Sequence, residues 1–155
     1  MAVPVREPFQ VVGYQHPQGG VENSTPLSTQ SGNGCNRFGW FETPTLAELQ
    51  SGISGVLYDD AVGTTNAGSW TAVAGSSGGV TVAYQLTWGY VLDEAHIDLA
   101  CLPIDTCNPN QFTFNSGALP GQPTYFNPTP IPYESCSGGS VAYLVVHAVV
   151  RAIAT

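Results

Sequence analysis

Apolar and polar residues alternate with a period of two along several stretches of this chain, the pattern of strands that bury one face. The cleanest is VTVAYQLTWGYV, where Val80, Val82, Tyr84, Leu86, Trp88 and Tyr90 share one face and Thr81, Gln85 and Thr87 the other. LDEAHIDLAC repeats it, with Ala95, Ile97, Leu99 and Cys101 inward and Glu94, His96 and Asp98 outward. SWTAVA reaches the first of these across GSSGG, a hairpin connection. QFTFNSG is a further short strand, CNRFGWFE has strand-like aromatics, and the Pro-punctuated LPGQPTYFNPTPIPY holds one more strand around Tyr125 and Phe126. GGSVAYLVVHAVVRAIAT is apolar on both parities from Val141 to Val150, as in a strand buried on both faces or crossing from one sheet to its neighbour. TPTLAELQSG supplies at most one short helix, with Thr43 as N-cap, Pro44 in the first helical position and Gly52 at the end. Short strands separated by Gly- and Pro-rich turns predict an all-β fold, an antiparallel β-sandwich of immunoglobulin-like or jelly-roll-like type.

The N-terminal AVPVREPFQVVGYQ alternates as well, with Val3, Val5, Phe9 and Val11 on one face. HPQGGVENSTPLSTQSGNG, which follows, is polar and almost without apolar anchors. The chain therefore divides into an arm strand at 1–15, a polar linker at 16–34 and a sandwich domain at 35–155. Pro4 and Pro8 share a parity, so one edge of the arm lacks two donors while the other keeps its N–H groups. That suits addition along a sheet edge, with main-chain hydrogen bonds and alternate side-chain pockets, better than insertion between two strands unless the prolines fall at the ends of the pairing.

Charge changes the picture by subtraction. Charged residues make up 9% of the 155 residues, Lys is absent, and the net charge is −8. Arg6, Arg37 and Arg151 are scattered, so no basic patch exists to release counterions from nucleic acid. No apolar run approaches the roughly 18 residues of a transmembrane helix. A surface so poor in charge suits burial in an assembly. The four cysteines, Cys35, Cys101, Cys107 and Cys136, include no Cys-x-x-Cys pair. Two disulfides are the simplest arrangement, favouring Cys101 with Cys107 and Cys35 with Cys136 among three possible pairings; four free thiols are the alternative. With the glycosylation sequon at Asn23, they point outside the cytoplasm, although MAVPVREPFQ does not read as a signal peptide.

Candidate chemistry is sparse. Gly75, Ser77 and Gly79 match Gly-x-Ser-x-Gly, but a strand follows where a nucleophile elbow needs a helix, and His16, His96 and His147 complete no Ser/His/Asp set. Glu94, His96 and Asp98, about 6.6 to 7 Å apart along one strand face, read as a solvated polar face before a metal site. Asp59, Asp60 and Asn66 in YDDAVGTTNAG offer oxygen ligands for a structural Ca²⁺, without EF-hand spacing. Trp40, Trp70, Trp88 and Tyr133 are aromatics that could stack on sugars if exposed.

An alternating arm, a polar linker, a Cys-bearing sandwich and a long apolar C-terminal strand together resemble the subunits of extracellular pili that polymerise by donor-strand complementation. GCNRFGW, YVLDEAHIDLAC and SCSGGSVAYLVVHAVV are also similar to stretches of secreted microbial surface domains. The first resemblance implies a non-enzymatic subunit of an extracellular filament or surface fibre, with a second copy of the chain as partner, polymerising head-to-tail through its arm. The alternative is a secreted, monomeric carbohydrate-binding or adhesion module with glycans as partners.

Overall fold

The alternating segments become strands, and where the alternation breaks the chain turns. The computed structural model describes residues 9–15, 24–26, 40–58, 66–100, 112–133 and 142–153, with the backbone path alone for 9–15, 24–26, 40 and 41. In chain order the elements are β1 (Phe9–Gln15), β2 (Ser24–Pro26), β3 (Trp40–Glu42), α1 (Leu46–Ser51), β4 (Ile53–Tyr58), β5 (Asn66–Ala74), β6 (Gly79–Leu86), β7 (Tyr90–Ala100), β8 (Phe114–Asn115), β9 (Thr124–Phe126), β10 (Ile131–Pro132) and β11 (Tyr143–Ala152). They form an all-β sandwich of two packed antiparallel sheets. One sheet runs β1–β4–β5–β6, with β9 and β10 sharing the far edge of β6; in the other, β11 pairs β7 on one side and β1 and β3 on the other.

Burial follows the predicted parities. Val80, Val82, Tyr84 and Leu86 of β6 meet Ala95, Ile97 and Leu99 of β7 and Leu144, Val146, Ala148 and Val150 of β11 in one cluster that also takes in Trp70 and Leu49. Fully burying one such Leu, Ile or Val contributes roughly 1.5–3 kcal/mol. The long stretch expected as one strand from Val80 to Tyr90 is instead two, because Thr87, Trp88 and Gly89 turn the chain from one sheet to the other. Tyr90 N–H donates to the Thr87 carbonyl and Gly89 takes φ 95°, a region that favours glycine. Trp88, expected inward, is thrown to the tip of this turn and is 83% exposed.

Three other expectations are revised. The helix N-cap is Thr45, not Thr43: Thr45 accepts from Glu48 N–H, and the Glu48 carboxylate accepts from Thr45 N–H, a reciprocal box that Thr43, with Leu46 three residues on, could not form. His96 and Asp98 lie opposite the core side of β7 as the parity requires, yet both are buried rather than solvated. Segment 16–34, expected as a linker, contributes β2, which pairs with β3.

β11 is buried on both faces, with Val145 and His147 on the side away from the main cluster. The strand that crosses between sheets is β1. Its first half, Phe9 to Val12, pairs antiparallel with Val150 to His147, and its second half, Val12 to Gln15, pairs with Tyr58 to Gly55. A bulge in β7 places Asp93 outside the β11 register, and its carboxylate takes the Arg151 guanidinium at 3.0 Å. Gly121 lets that guanidinium close, since a Cβ there would lie 2.5 Å from an Arg151 nitrogen.

Candidate functional site: the outer face of β5, β6 and β9

Pairing fixes which side chains share the outer face of the first sheet. Ser69, Gln85 and Thr124 form one cross-strand row, and Thr71, Ala83 and Phe126 form the next. The small Ala83 leaves the middle of the second row low, and an open groove of about 420 Å³ lies over it, within the range of small-molecule sites. Phe126 rises beside it, 62% exposed. Gln122 borders the groove with its amide fixed, its Nε2 donating to the Thr124 carbonyl at 2.7 Å. None of the lining residues is charged.

Behind this face the sheet edge is closed by one side chain. After β9 the chain enters Asn127-Pro128-Thr129-Pro130, whose prolines have no N–H to offer β6. Asn127 supplies the missing groups: Oδ1 accepts from Val82 N–H at 2.7 Å, and Nδ2 donates to the carbonyls of Val80 at 3.2 Å and Thr129 at 2.9 Å. The ladder therefore runs from β9 to β10 without a gap at the groove.

On the inner side Tyr84 spans the sandwich, donating its hydroxyl to the carbonyls of His147 at 3.0 Å and His96 at 3.3 Å. Burial pushes the Tyr84 hydroxyl well above the usual tyrosine range, and nearby Tyr125 adds to the shift. Below about pH 10 both folded and unfolded chains hold this proton; above it the unfolded chain releases it and the folded chain does not, so stability falls as pH rises. Tyr84→Phe should cost about 1 kcal/mol at pH 8 for the lost hydrogen bond. It should also flatten the decline above pH 10. Urea titrations of both proteins at pH 8 and pH 11 check this; equal losses on going to pH 11 would exclude Tyr84 as a source.

His96 and His147 stand directly opposite each other, ring centroids 5.1 Å apart, with Phe112 edge-on to His147 at 6.4 Å. The Glu94 carboxylate lies 3.9 Å from His96 Nε2, and Asp98 accepts from both the N–H and the hydroxyl of Thr113. These groups knit β7, β11 and the segment before β8 into a buried polar seam. Among the described residues no group of three His, Cys, Asp or Glu is placed to hold a metal ion.

No family model, no curated protein and no solved structure matches the chain. The remaining predicted residues fall as follows. Gly75, Ser77 and Gly79 lie in the β5–β6 hairpin, closed by Gly75 N–H to the Gly79 carbonyl, and a strand follows. Asn66 turns its side-chain carbonyl to Gly68 N–H, while Asp59 and Asp60 lie outside the described residues. So do Val3, Val5, Asn23, Cys35, Cys101, Cys107 and Cys136. Phe9 and Val11 occupy register positions opposite the fully buried Val150 and Ala148. Of the aromatics considered for stacking, Trp70 is buried, Tyr133 is half-buried with its hydroxyl on the Pro44 carbonyl, and Trp88 is exposed at a turn. Phe126, the aromatic on the groove, sat in view in TYFN, but its facing depends on the β6–β9 pairing, which no local pattern encodes.

Proposed function

We propose that the chain is a structural subunit of an extracellular filament or surface fibre, assembled by exchange of β1 between copies. The observation that carries this reading is the position of β1: four residues pair with β11, four with β4, and Val12 is shared. Pairing with both sheets goes beyond the addition along a single edge expected from the sequence. The same register is available to β1 of a neighbouring copy. Passed head-to-tail, such an exchange does not close and gives a filament; kept within one chain, it gives a closed monomer. Its chemistry is main-chain pairing and burial, without catalysis.

The closed and exchanged forms contain the same contacts and differ in concentration dependence, because an intramolecular strand competes at an effective concentration in the millimolar range. Protein refolded at high concentration should show an oligomer ladder by light scattering and filaments in negative stain. Excess synthetic peptide of residues 2–15 should shorten them by filling the slot. A monodisperse monomer at every refolding concentration would overturn the filament reading and leave the monomeric binding module.

A further inference from the structure

We infer that the groove over Ala83 binds a neutral polysaccharide chain, with Phe126 as the stacking ring and Gln85, Thr71 and Ser69 as the hydroxyl-reading groups. The occupant follows from what the face offers and what it lacks. The main-chain groups of β5 and β6 are taken up by β4, β9, β10, each other and Asn127, so the floor of the groove offers a ligand side chains rather than backbone. What remains is side-chain chemistry alone. Amides and hydroxyls both donate and accept, which matches the mixed demands of sugar hydroxyls. An aromatic ring presented to solvent matches the apolar C–H face of a pyranose.

Charge narrows the class further. The groove has no charged lining residue, and the chain as a whole carries −8. A uronate or sulfated polymer would meet like charge at long range and no cation at contact. A neutral chain meets neither obstacle. The groove is open, so it suits a stretch of polymer better than an enclosed monosaccharide, and the amide of Gln122 is already oriented by its bond to Thr124. This site is independent of strand exchange, because β4 lies between β1 and β5, the groove strand nearest to it.

The test is affinity electrophoresis of the folded full chain in native gels containing xyloglucan, galactomannan or mixed-linkage β-glucan, with polygalacturonate as the charged comparison. At least one neutral gel should retard the protein. Phe126→Ala should weaken that retention about tenfold, Phe126→Trp should keep it, and Trp88→Ala, which alters the exposed aromatic outside the groove, should leave it unchanged. Should Phe126→Ala fail to fold, Phe126→Leu keeps an apolar side chain at the position and still removes the ring. Retardation by none of the neutral gels, retardation by polygalacturonate alone, or retention that survives loss of the Phe126 ring would each overturn the proposal.

Discussion

Val12→Pro is expected to unfold the protein or to lower its stability by about 3 kcal/mol or more, measured by urea denaturation followed by circular dichroism. Val12 is the one residue of β1 paired with both sheets, opposite His147 of β11 and Tyr58 of β4. Proline there removes an N–H from the ladder and forces its ring against a paired neighbour. The orphaned acceptor alone costs about 1–3 kcal/mol if buried. The rest of the loss comes from unzipping the strand on one side of the substitution. Phe9→Pro, at the first residue of the strand, is the internal comparison and should cost far less, since proline is tolerated there. Equal, small effects at both positions would mean that β1 does not hold the two sheets together, and the basis for strand exchange would go with it.

The same strand shows how far local pattern carries and where it stops. Alternation in AVPVREPFQVVGYQ is enough to read a strand with an apolar face, but not its neighbours, because pairing between β1 and residues forty or more and more than one hundred positions away leaves no mark within either segment. Where alternation alone decides the face, as along β6 and from Glu94 to Leu99 of β7, side-chain facing was legible residue by residue. β4 was not foreseen, since Gly52 and Gly55 in SGISGVLY look like punctuation. There Gly52 caps α1 and Gly55 sits in the pairing with Trp70. His96 and Asp98 were placed on the correct face but assigned to solvent, because the cover over that face, Phe112 and Thr113, arrives from a separate segment. Phe126 was missed for the equivalent reason, as its exposure is decided by the edge it happens to pair with.

Asn127→Leu should cost roughly 3 kcal/mol, and Asn127→Asp more at neutral pH. Asn127 is only 1% exposed, and its amide stands in for a stretch of strand between β9 and β10. Leucine keeps the branch at Cγ and is bulkier than asparagine, so it opens no cavity and adds some crowding, and what it removes is the acceptor for Val82 N–H and a donor to the Val80 carbonyl. Two buried backbone groups without partners account for the expected loss at about 1–3 kcal/mol each. Aspartate separates the two halves of the interaction. Its carboxylate still accepts from Val82, but it faces the Val80 and Thr129 carbonyls with a negative charge where a donor is needed. A protonated aspartic acid regains a donor, so the deficit of Asn127→Asp relative to the parent should shrink on acidification, while that of Asn127→Leu should not. Chemical denaturation at pH 7 and pH 4 distinguishes them. If Asn127→Leu is as stable as the parent, the amide bonds contribute nothing net, and the edge of β6 beside the groove is held by β9 and β10 alone.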